Sequence, residues 1–195
     1  MGLDLWFYPV WLDSPSIRMI RTDAAAWETA VGGPFCPSPR GAVPDMSLRL
    51  QAELPCEVYM WNYPDRSYGQ AEYLLDPAGY RTLVSWQERE RSLPYRIIEG
   101  EQRFAAHAVG GQGVAWRCST AAFLAEAVAV IDGLDPAAVS REFSVAEMDE
   151  LGVYKVHPSE NDDEVFARVL QRLRQLGRYC RELTARGVDL IVVKD

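Results

Sequence analysis

Between Asn161 and Arg186 an apolar residue recurs every three or four positions: Val165, Val169, Leu173, Leu176, Cys180 and Leu183. That spacing puts all of them on one stripe of a long helix. Asp162, Asp163 and Glu164 open the segment, and Arg178, Arg181 and Arg186 close it, which is the order the helix dipole favours. Gly187 ends the helix, and "VDLIVVKD" follows as a strand. A long helix with one apolar stripe must lie across an apolar surface. Near the other end of the sequence, "LDLWFYPVWL" shows too little polar alternation for a sheet with one wet face. It is expected to be a central strand or one covered on both faces.

The segments between these ends alternate in type. "TDAAAWETAV" reads as a short helix with Thr22 or Asp23 as N-cap and Gly32 past its end. "CEVYMWNY" reads as a strand, with Val58 and Met60 on one face and Tyr59, Trp61 and Tyr63 on the other. Asp76 and Pro77 start a helix expected to run to about Arg91. "YRIIEG" reads as a short strand, and the glycines of "VGGQGVAWRC" as a turn before another. Ser119 is expected to cap a helix whose apolar face is Phe123, Leu124, Ala127, Val128 and Ile131. Asp135-Pro136 starts the next helix. Ser144 and Glu147 form a capping box, and Gly152 is the stop. The Pro- and Gly-rich stretch from Val31 to Asp45 is read as a long surface loop inside one domain. The expected fold class is α+β: a single domain over residues 1–195, with a mixed, mainly antiparallel sheet covered by helices, the long C-terminal helix being the main cover.

Composition narrows the function. A net charge of −8 in 195 residues argues against a nucleic-acid partner, because phosphate binding draws on clustered Lys and Arg. The apolar run from Leu5 to Leu12 is too short to span a bilayer and follows Asp4 rather than a basic segment, so no membrane association is expected and the location is read as cytoplasmic. Cys36, Cys56, Cys118 and Cys180 are widely spread and form no cluster with His107 or His157. They read as reduced, packed thiols, with no metal and no cofactor expected.

The order "STAAFLAEAVAVIDGLDPAAVSREFSVAEMDELGVYKVHP", the long helix and the closing strand resemble the YfbM-like bacterial family of unknown function. Phe143, Met148, Val153 and Tyr154 occupy the family's spaced positions, and "MGLDLWF" resembles its first strand. The resemblance covers roughly residues 100–195 and the first ten. Its motif consists of packing residues, so it implies a fold and no activity. Residues 32–95 depart from the pattern and are read as a divergent or inserted region, and "YKVHP" carries an insertion between Tyr154 and Pro158.

The candidate binding surface lies in that middle region, in "VYMWNYPDRSYGQAEYLL". Tyr59, Trp61 and Tyr63 share one strand face, Pro64 to Ser67 form a turn with Arg66 in it, and Tyr68 and Tyr73 lie just beyond. Aromatic rings beside a guanidinium suit an interface or a pocket. A strand whose second face is covered by a helix accounts for the same pattern more simply. The remaining motifs carry less. Gly110 to Gly113 lead into a strand rather than a helix, so a hairpin turn fits better than a phosphate loop. No nucleophile signature surrounds any cysteine. The arginines of the long helix read as a solvated face. The favoured function is a non-catalytic binding or interaction module for another protein or a small molecule, acting as a monomer or as a homo-oligomer. A small-molecule hydrolase or transferase on the Tyr59/Trp61/Arg66 surface, with Glu72 as base, is one alternative. An acidic immunity-type protein that neutralises a basic partner is another.

Overall fold

The computed structural model describes residues 3–30, 59–110 and 113–194. The loop expected over Val31 to Asp45, together with Cys36, Cys56, Val58 and Gly32, lies outside them. Strands β1 (Leu5–Val10) and β5 (Asp189–Lys194) pair antiparallel along their whole length, from Leu5 opposite Lys194 to Val10 opposite Asp189. β2 (Trp61–Asn62) joins β1, and β4 (Arg117–Ser119) and β3 (Gln102–Arg103) extend the sheet beyond β5. The order is β2-β1-β5-β4-β3, and every pairing among the described residues is antiparallel.

The period-two alternation of a strand divides the side chains of β1 and β5 between two cores. Leu5, Phe7, Leu190 and Val192 face the larger core, and Tyr8, Val10, Ile191 and Val193 the smaller. Both faces are therefore covered, as the lack of polar alternation in β1 requires. The smaller core is closed by α1 (Pro15–Thr22) and α2 (Ala24–Ala30), with Trp27, Phe104 and Trp116 packed in it. On the larger side lie α3 (Tyr68–Leu75), α4 (Pro77–Thr82), α5 (Trp86–Arg91), α6 (Leu93–Glu99) and α7 (Ala121–Asp132). They are followed by α8 (Pro136–Ser140), α9 (Val145–Glu150) and α10 (Asp162–Ala185).

α10 is the long helix, capped by the Asn161 side chain, and all six residues of its expected stripe are buried. It packs closely on α7, where a Cβ at Gly177 would stand 3.1 Å from Ile131. α7 is capped by Thr120, whose hydroxyl accepts from the Phe123 amide; Ser119, the expected cap, ends β4 instead. Val109 and Ala115 pair across a hairpin in which Gly110 donates to the Val114 carbonyl and Gly113 to the Gly110 carbonyl, each at 2.9 Å.

The middle of the chain differs most from its reading. The expected single helix over residues 76–91 is broken after Thr82, because Ser85 and Glu88 form a capping box that starts α5 afresh. "YRIIEG", expected as a strand, is helix α6: Ser92 caps it by accepting from the Tyr95 amide, and Pro94 sits in its first turn, where no amide donor is needed. The aromatic strand shrinks to β2, and the sequence after its turn forms α3, packed inside the larger core.

Truncating Leu173 to Ala on the buried stripe should lower unfolding free energy by about 2–5 kcal/mol. The same change at its exposed neighbour Arg174 should stay within about 0.5 kcal/mol. Urea denaturation of the two variants measures the difference.

Candidate functional site

The six aromatic and basic residues singled out between Tyr59 and Tyr73 do not share one surface. Tyr59 is 83% exposed. Trp61 is half-buried between Phe7 and Tyr179, its ring centroid 5.2 Å and 5.7 Å from theirs. Tyr63, Tyr68 and Tyr73 are interior. Arg66 is tied to Asp4 by two hydrogen bonds of 2.7 Å and 3.0 Å. Its neighbour Asp65 accepts from Arg172 at 2.9 Å. Asp65 and Arg66 both take positive φ, a conformation costly for residues with a Cβ, and the two ion pairs hold the turn in it.

Every residue of α3 from Tyr68 to Leu74 is buried, including Gln70 and Glu72. Glu72 is 1% exposed and accepts from Arg89 Nε of α5 at 2.8 Å, while its Oε1 has no hydrogen-bond partner. The carboxylate of Glu99, at the end of α6, accepts from Lys194 Nζ at 2.6 Å, and that ammonium lies 4.5 Å from the centre of the Tyr68 ring. Lys194 points inward because it continues the Leu190 and Val192 face of β5. Two carboxylates and two cations thus meet in the interior. Burial, reinforced by the charge of Glu99, pushes the Glu72 carboxyl up to about 8. As an enzymatic base Glu72 would need contact with a substrate, and it is sealed behind Arg89.

Arg89 is where this cluster reaches the surface. Its guanidinium carbon lies 5.5 Å from the Tyr80 ring centre and 5.2 Å from that of Trp86. Together with Leu83, Val84 and Leu151 these side chains form a cleft of about 250 Å³. The capping box positions it: Ser85 accepts from the Glu88 amide, and Glu88 accepts from the amides of Val84 and Ser85. Fixing that corner leaves Val84 86% and Trp86 49% exposed. The carboxylate–guanidinium–aromatic arrangement holds a flat cation rigidly among apolar walls.

The other candidates have structural partners. Cys118 and Cys180 are buried, which pushes their thiols up to about 11 and about 12, so neither is poised as a nucleophile. His107 contacts the Ile20 carbonyl, and exposed His157 contacts Ser159. Among the described residues no group of three or more His, Cys, Asp and Glu side chains is placed to hold a metal ion. Within α10, Arg168, Arg172 and Arg181 pair with Glu160, Asp65 and Asp132. The Ser144–Glu147 box forms by half: Ser144 accepts from the Glu147 amide, but the Glu147 carboxylate is drawn to Arg81 and the Tyr73 hydroxyl. No described helix is long and apolar enough to cross a membrane.

Two outcomes check this geometry. Trp61→Ala should destabilise the chain by about 3 kcal/mol, the low end for a Trp truncation, because the half-buried ring packs against the larger core; urea denaturation measures it. Between pH 4.5, the ordinary value for Glu72, and about 8, its folded-state value, the folded chain holds a proton that the unfolded chain has lost. Stability contributed this way is present at the acid end and falls as pH rises through that window. Glu72→Gln should therefore flatten the decline in melting temperature, and equal slopes for the two proteins would contradict the assignment.

No protein-family model and no curated protein matches the chain. Among solved structures it is similar to YfbM from Escherichia coli, a protein of unknown function, with a TM-score of 0.63 over 98% of this chain and 99% of that one at 13% identity. At that identity the likeness concerns the fold alone and indicates no specific activity. The open antiparallel sheet, the helices on its larger face and the long closing helix are a YfbM-like α+β fold.

Proposed function

We propose that the protein is a non-catalytic interaction module of the cytoplasm that grips a partner protein through the cleft around Trp86 and Arg89. The observation that carries this reading is the exposed apolar corner of Val84, Trp86 and Leu151 beside an immobilised guanidinium. Trp, Tyr and Arg are the residue types that most often anchor protein interfaces. At about 250 Å³ the cleft is smaller than the usual metabolite pocket, and it suits one or two inserted side chains of a partner. The Ser85 hydroxyl in its lining is taken up by the cap. Two buried free thiols suit a reducing compartment.

The surface expected at Tyr59, Trp61 and Arg66 contributes less to this reading, because only Tyr59 is largely exposed. A photoreactive side chain at position 84, introduced into the protein in its native cells, should give a discrete crosslinked adduct. Trp86→Ala should abolish that adduct while leaving the melting temperature within a few degrees. Position 178, exposed on α10, serves as control. A yield at position 84 no higher than at 178 would overturn the proposal.

A further inference from the structure

On the other side of α5 lies a second, larger cleft of about 510 Å³. Four guanidinium groups line it, those of Arg91, Arg96, Arg103 and Arg117. Such a concentration of cations is unexpected on a chain with a net charge of −8. From this geometry we infer a binding site for a small phosphate monoester, independent of the Trp86 cleft.

Two of the four cations are fixed before any ligand arrives. Arg117, only 7% exposed, donates from Nε to the Gly100 carbonyl at 3.0 Å, with its guanidinium carbon 5.0 Å from the Tyr95 ring centre. Arg96 donates from Nε to the Glu101 carbonyl at 3.3 Å and lies 4.7 Å from the Phe123 ring centre. Carbonyl oxygens and ring faces orient these groups without cancelling their charge. Gly100 makes the arrangement possible: its φ is +103°, and a Cβ there would stand 2.9 Å from that of Arg117.

Acidic groups in the same lining offset only part of the charge. The Glu101 carboxylate accepts from the Thr120 amide and hydroxyl at 3.1 Å and 3.0 Å, bracing the residue that caps α7. Glu90 takes Arg103 at 3.3 Å and lies 3.9 Å from Arg117. Arg91 has no acidic partner among the described residues, and the terminal nitrogens of Arg96 make no hydrogen bond there. The donors left over form planar forks of the kind that grip tetrahedral oxyanions.

A phosphate monoester matches the remaining charge and the space. It carries nearly two negative charges at neutral pH and three acceptor oxygens. The cleft is larger than a bare phosphate needs, and the rest of its lining, Gln87 and Gln102, offers amides suited to hydroxyl groups rather than to an aromatic base.

Calorimetric titration with glycerol 3-phosphate, inorganic phosphate and glycerol at constant ionic strength tests the site. Glycerol 3-phosphate should bind more tightly than inorganic phosphate, and glycerol should not bind. The exposed double variant Arg91→Gln/Arg103→Gln, first shown to melt as the parent does, should bind at least about tenfold more weakly. Arg96→Gln should also weaken binding. The inference is overturned if the parent does not respond at millimolar concentrations, if both variants bind unchanged, or if inorganic phosphate binds as tightly as the ester.

Discussion

The full-length pairing of β1 with β5 is the constraint from which the other layers follow. Both strands are apolar on both faces, so each face must be covered by something equally apolar. One cover is α1 and α2 with Trp27 and Trp116. The other is the stack of α3, α7 and α10. The N-terminal end of α7 is tied to this pair directly, because Asp189, the first residue of β5, accepts from the amides of both Leu12 and Ala121. One carboxylate thereby positions the end of β1 and the start of the helix that carries α10.

The same alternation that builds the cores also sends a charge into one of them. Lys194 follows Leu190 and Val192 in phase, so its ammonium arrives beneath α3 and α6, and Glu99 is there to meet it. Glu72 and Arg89 form a second pair nearby. Buried ion pairs seldom stabilise more than apolar groups of similar size would, since desolvation consumes most of the attraction. Their clearer effect here is positional: each pair ties a short helix to a neighbour that propensity alone would not fix. α5 and α6, six and seven residues long, are well below the length at which an isolated helix persists.

The helices legible in the sequence are those where one face is wet, while β1 is legible because neither of its faces is. The stripe of α10 declares itself because polar residues mark the opposite side, and that of α7 because its large apolar residues stand against alanines and Glu126. α3 gives no such signal: it is buried all round, and its Gln70 and Glu72 imitate a polar face that does not exist. α6 was obscured by Ile97 and Ile98, β-branched residues that favour strands unless a cap such as Ser92 decides otherwise. For the candidate site, aromatic content pointed to Tyr59 through Tyr73, but aromaticity does not distinguish a core from a surface. The spacing Ser85-x-x-Glu88 was the readable clue to the exposed corner at Trp86, because a capping box in the middle of an expected helix means that the chain turns there.

α5 is a wall shared by two clefts. Arg89 faces the aromatic one and its neighbour Glu90 the arginine-lined one, on a helix less than two turns long. Because both clefts share this one wall, any displacement of α5 toward one side would alter the shape of the other. If occupancy of one cleft changes affinity at the second, thermodynamic reciprocity requires the second to change the first by the same factor. Two sites that share no lining residue would then still be linked, through the one helix between them.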